Sequence, residues 1–183
     1  TPGTGVEGSL TVKLDSGTPD LLEIKEGDSN VKIYAIKVKA TDNNVTLNRV
    51  DFNFNARPWL SVSGLSLWNG TTKLWEDTSL TSSDFEEITS GSDYKLRMAG
   101  LTFAVAKGEE KVLELHANAP TKMDTATNIN ITLSANAVRG TDAVGKTQDA
   151  PGAALTARTF RALSKDVGQL EFSQDLVGHE GIE

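Results

Sequence analysis

Apolar residues in this chain recur at every second position in short runs bounded by Gly, Asn, Asp, Ser and Pro, which is the pattern of half-buried strands rather than of helices. SLTVKLD puts Leu10, Val12 and Leu14 on one face, and LLEIKEG gives a short second strand. VKIYAIKVKA, Val31 to Ala40, and VTLNRVDFNFN follow on either side of the Asp42-Asn43-Asn44 turn. In both long runs the apolar phase jumps, between Ala35 and Ile36 and again between Leu47 and Val50. Such jumps predict a bulge, burial on both faces, or a strand shared between two packed sheets.

Gly64 to Glu76, GLSLWNGTTKLWE, is the clearest local statement. Asn69-Gly70 supplies two positive-φ residues for a type I′ turn, which predicts Trp68 opposite Thr71, Leu67 opposite Thr72, Ser66 opposite Lys73 and Leu65 opposite Leu74. That register gathers Leu65, Leu67, Thr72 and Leu74 on one side. It leaves Trp68 and Trp75 together on the other, roughly 13 Å apart along the strand. Beyond the hairpin, SLTSSDFEEITSGSD reads as a helical connector with Ser83 and Glu86 at capping-box spacing. Strands resume at DYKLRMA, LTFAV, KVLELHANA and NINITLSANAV, with Gly100 separating the first two. In KVLELHANA, inward Leu113, Leu115 and Ala117 put His116, Glu114 and Val112 outside. Arg139 to Ala154 reads as one long loop, LTARTFRAL as a further strand, and Leu170 and Phe172 as the apolar positions of a last one.

These elements predict an all-β fold: an antiparallel β-sandwich, immunoglobulin-like or an elaborated Greek key, of about ten strands. Residues 1–8 read as a flexible leader, 9–175 as a single domain and 176–183 as a tail. The 183-residue length suits one domain with a sizeable core.

A net charge of −7 and a pI near 4.9 argue against nucleic acid or anionic lipid as a general partner. No run approaches the ~20 apolar residues of a membrane span, so membrane insertion is not expected. The absence of cysteine removes disulfides, thiolate metal sites and cysteine nucleophiles. The first residue, Thr1, fits either a removed export signal or a chain cut at that point.

Candidate chemistry is sparse. The two histidines, His116 and His179, have no second ligand at metal spacing, so no metal site is assigned. Gly3, Gly5 and Gly8 match a dinucleotide-binding spacing, but neither strand nor helix flanks them as that site requires. No nucleophile–base pair can be assembled, and the expectation is a protein that is not an enzyme. No cofactor is expected, calcium being the one alternative. Asp and Asn cluster at Asp15 to Asp20, Asp42 to Asn44 and Asp142 to Asp149, where turn formation is the preferred account. Of three glycosylation sequons, that at Asn44 lies in an exposed turn. Trp59, Trp68 and Trp75 are candidates for a ligand or interface surface, with packing the favoured role for large aromatics in half-buried strands.

GSLTVKLDSGTPD, VKIYAIKVKATDNNVTLNRVDF and LSLWNGTTKL together resemble the immunoglobulin-like β-sandwich modules of bacterial cell-surface proteins, of surface-layer or filament and pilus-subunit type. The likeness spans about residues 8–76. It implies an extracellular or cell-surface, structural, non-catalytic role, with self-association into a homopolymer. The Gly-rich leader feeds directly into the strand of Leu10, Val12 and Leu14, which makes that strand the candidate for donation to a neighbour's sheet. The alternative is a carbohydrate-binding or adhesive module whose exposed tryptophans meet a polysaccharide.

Overall fold

The computed structural model describes residues 5–123 and 126–164. The expected strand at Leu170 and Phe172, the 176–183 tail, His179 and the first four residues lie outside them. Among the described residues there are thirteen strands and no α-helix.

Two sheets face each other as a β-sandwich. The first is five-stranded, in the order β1 (Ser9–Leu14), β3 (Val31–Thr41), β9 (Glu110–Asn118), β5 (Gly64–Asn69) and β6 (Thr72–Asp77). All its neighbours are antiparallel. The second is eight-stranded and built around β4 (Val45–Phe54). β8 (Asp93–Val105) runs along one side of β4 and carries β7 (Phe85–Thr89) at its far edge. The other side of β4 is divided. Its first half pairs with β11 (Val138–Asp142), which carries β12 (Thr147–Ala150). Its end pairs with β10 (Thr127–Thr132), followed by β13 (Arg158–Leu163) and, in parallel, β2 (Leu22–Lys25).

The alternating positions read from the sequence form the core. Ile36, Val38, Leu47, Val50, Phe54, Leu67, Met98, Leu113, Leu115, Ile129 and Ile131 are fully buried between the sheets. Tyr34 and Phe52 meet edge to face at 6.0 Å across them. Burial pushes the Tyr34 phenol up to about 12, and its hydroxyl donates to the Thr156 carbonyl. In β3 the bulge is at Ile33, earlier than the expected jump between Ala35 and Ile36, where pairing is unshifted; Ile33, Tyr34, Ala35 and Ile36 are buried in succession. The jump in β4 is also a bulge. Arg49 pairs with Ala99 while Leu47 pairs with Phe103, so Gly100, Leu101 and Thr102 face Asn48 alone. Gly100 sits there at φ +78, and β4 stays within one sheet rather than serving two.

Five local expectations are corrected. NINITLSANAV is not one strand: β10 ends at Thr132, a turn bonds the Ala137 N–H to the Ser134 carbonyl with Asn136 at φ +62, and Val138 begins β11. DYKLRMA and LTFAV are one strand, β8, because Gly100 bends the chain within it rather than ending it. The expected helical connector is a single 3-10 turn, Ser82–Asp84, capped reciprocally by Thr81 and Asp84, after which Phe85 and the residues beyond pair with β8. The expected long loop from Arg139 contains the β11–β12 hairpin.

The β5–β6 register is also displaced. Asn69 pairs with Thr72, so Gly70 and Thr71 are the turn, and only Gly70, at φ +58, is left-handed, as the first central position of a type II′ turn requires. Trp68 then pairs with Lys73 and Leu67 with Trp75, leaving Leu74 as an extra bulged residue. The bulge reverses the faces beyond it, and Trp68 and Trp75 lie on opposite sides of the hairpin.

Candidate functional site

The three tryptophans are not brought together. Trp59, in a 3-10 turn begun by Pro58, packs against Phe85 at 5.6 Å and Tyr94 at 5.0 Å. Trp75 is half-buried against the core beside its cross-strand partner Leu67. Trp68 faces outward, donates its indole N–H to the Ser66 hydroxyl at 2.8 Å, and stacks on His116 at 5.7 Å. The Lys73 ammonium lies 5.3 Å from the Trp68 ring centre. His116 bonds Glu114 at 2.9 Å and the Asn30 side chain at 2.8 Å, and Lys32 approaches Glu114 at 3.5 Å. The outer face of this sheet is therefore a network of internally matched polar groups around one aromatic ring. His116, Glu114 and Val112 lie outside Leu113, Leu115 and Ala117, as their alternation required.

The strand edges are less evenly finished. Besides the stretch of β8 beyond β7, which Gly100 bends, five strands stand at sheet edges: β1 and β6 in one sheet, β12, β2 and β7 in the other. β12 and β2 have four residues each. β6 and β7 carry register shifts, and β6 adds the exposed Lys73–Glu76 pair. These are the means by which edges are blunted. β1 differs. It pairs with β3 over six consecutive positions, from Ser9 with Thr41 to Leu14 with Ile36, without a shift.

The ladder runs on to Asp15, whose N–H donates to the Ala35 carbonyl. Antiparallel alternation then bonds the odd residues to β3 and turns the N–H groups of Leu10, Val12 and Leu14 to the open side. Their side chains face the core, Val12 fully and Leu10 and Leu14 in part. The strand singled out for donation thus sits in its own sheet, with an unshifted edge whose one charge is the exposed Lys13.

The β1 entry is anchored. The Gly8 N–H donates to Asp142 Oδ2 at 2.9 Å, and Lys146 pairs with Glu7 at 2.9 Å. Asp142 also accepts from the Val144 and Lys146 backbones and the Gln148 amide. Burial by itself would raise the Asp142 carboxyl, but the N–H groups of Lys146, Gly8 and Val144 outweigh it and hold the carboxyl below the usual aspartate range. Two of the Asp-rich clusters are engaged in turns in this way. Asp142 organises the β11–β12 hairpin, and Asp15 accepts the Gly17 N–H. Among the described residues no group of three or more His, Asp or Glu gathers at metal-binding distance. Asn44 is exposed just before β4, and its side-chain Oδ1 accepts the Lys107 N–H.

The sequence did not single out the arginine row on the other sheet. Arg97 grips Asp51 with Nε and Nη2, each at 3.2 Å, and Arg139 grips Asp149 at 2.8 and 3.2 Å. The Arg139 contact holds the Asp149 carboxyl below its usual range. The row depends on strand register across β8, β4, β11 and β12, which no local pattern carries.

No protein-family model matches the chain, and no curated protein matches it. Solved structures align over most of its length at low similarity. AvmM, described as catalysing macrocyclization in alchivemycin A biosynthesis, is 12% identical over 85% of this chain and 87% of its own, with a TM-score of 0.39. The seventh ScaB type I cohesin of Pseudobacteroides cellulosolvens is 9% identical over 86% and 94%, TM-score 0.32. The full-length major pilin SpaD of Corynebacterium diphtheriae is 14% identical over 84% and 35%, TM-score 0.31. Identities and scores of this size transfer neither a site nor an activity. The class of protein that the chain itself defines is an all-β sandwich.

Proposed function

We propose that this chain is a non-catalytic structural module of a bacterial cell surface, joining other copies of itself through the open edge of β1. The carrying observation is the contrast among these edges: four are short or bulged, and β1 is a straight six-residue ladder with one partner. An extended segment added there satisfies the outward N–H groups of Leu10, Val12 and Leu14 with main-chain bonds. A contact between this edge and a different surface of the next copy builds a filament wherever the rotation between copies does not close into a ring. The surface location rests on the resemblance of residues 8–76 to bacterial surface modules. The expected absence of catalysis rests on the lack of a nucleophile–base pair in the sequence.

The test is a pair of substitutions at one position. Leu10→Pro removes an outward N–H that β3 does not use, a change that edge strands tolerate. Leu10→Ala removes the same side chain and keeps the N–H. Electron microscopy and sedimentation should show assembly for the wild type and Leu10→Ala, and folded monomer for Leu10→Pro. Equal assembly by the two variants would contradict edge pairing at β1.

A further inference from the structure

On the outer face of the eight-stranded sheet, Arg49 has one long ion pair and no hydrogen bond from its Nε. Arg49 stands directly opposite Arg139 in the β4–β11 ladder, and like charges in directly opposed positions repel. Arg139 is committed to Asp149, and Asp51 is gripped by Arg97. Arg49 reaches Asp51 only at 3.6 Å, and its Nε is buried with no hydrogen-bond partner. Across the four strands the row therefore reads Arg97, Asp51, Arg49, Arg139, Asp149, with three positive charges to two negative.

Beside Arg49 the surface sinks into a groove of about 320 Å³. Its walls include Asn53, Asp93, Ser134, Asn136 and Ile88. Asn53 donates to Asp93 and accepts from the Ser134 hydroxyl, which fixes these polar groups in place. Ile88 is 46% exposed and gives the wall one apolar surface. Lys95, at the β7 side, is paired with Glu86 at 2.9 Å.

We infer that this groove binds an acidic sugar through its carboxylate. Arg49, whose side chain is 19% exposed, supplies the cation that the carboxylate meets through the accessible part of its guanidinium. The amide, hydroxyl and carboxylate groups of Asn136, Ser134 and Asp93 face the sugar's hydroxyls, and Ile88 meets a C–H face. The two carboxylates of the groove, Asp51 and Asp93, accept from hydroxyls but repel the repeated acids of an acidic peptide. That favours a uronic acid over a peptide.

Calorimetric and NMR titration of the whole chain with D-galacturonate tests this, with galactose and an acetylated glutamate peptide as the other arms. The expected result is saturable binding of galacturonate, weakened at least ten-fold for galactose and for the peptide. Arg49→Gln should weaken galacturonate at least ten-fold and Arg49→Lys less, while Lys32→Gln, on the opposite sheet, leaves it unchanged. Thermal unfolding confirms that each variant is folded, and Arg49→Lys serves should Arg49→Gln fail. Non-saturating titration, equal affinity in the folded Arg49 variants, or tighter binding of the peptide than of the sugar would overturn the inference.

Discussion

At the scale of single residues, two positions are fixed by contacts invisible in the linear sequence. Gly140 lies where β11 crosses the start of β4, and a Cβ there would stand 2.6 Å from Val45 Cγ1 and 2.8 Å from the Thr46 carbonyl oxygen. Both obstacles belong to a packed strand, so Gly140→Ala should cost about 1–3 kcal/mol, read as a lowered urea midpoint at unchanged slope. Asp142 is held ionised by backbone donors. Its folded-state value lies below its unfolded one, so its contribution is fully present above about pH 5 and is lost as pH falls through the depressed value. Asp142→Asn should therefore lower stability at pH 7 and make little difference at the acid end. Denaturant curves for both proteins at pH 7 and pH 3 measure it, and an equal loss at both would show that the charge is irrelevant. The outward placement of His116 and Glu114 was legible from alternation alone. Their partners Asn30 and Trp68 were not, because those contacts depend on which strands become neighbours.

At the scale of elements, most strands with period-two patterns were legible, and most errors fall where the chain departs from that period, although NINITLSANAV keeps it and still ends as a strand at Thr132. The Asn69-Gly70 pair announced a hairpin correctly but misplaced its turn by one residue, and a bulge at Leu74 then reversed one tryptophan. Bulges follow from the fit between neighbouring strands, which local propensity does not specify. The β11–β12 hairpin was missed because VRGTD and TQDA have too few apolar residues to show alternation. What holds them is the Asp142 cluster and the Arg139–Asp149 pair. The hairpin geometry separates Trp75 from Trp68 energetically. Trp75→Ala should cost about 2–3 kcal/mol through lost packing against the core, and Trp68→Ala less than about 1.5 kcal/mol, since its partners are polar and near the surface. Chemical denaturation of the two variants ranks them, and the reverse order would place the bulge elsewhere.

At the scale of the whole molecule, the sandwich was legible because the apolar faces of short strands have no other way to be buried. The division of β4 between β11 and β10, and the parallel pairing of β2 with β13, were not, since sheet order is set by long-range packing. The same order leaves β1 at an edge with a straight ladder, and the proposed association follows from that position. The most direct measurement is residue-resolved hydrogen exchange on monomeric and assembled protein. The account predicts that the amides of Leu10, Val12 and Leu14 exchange rapidly in the monomer and become protected on assembly, while those of Thr11 and Lys13 are protected in both. Unchanged exchange at Leu10, Val12 and Leu14, with new protection along β6, β7, β12 or β2, would contradict it.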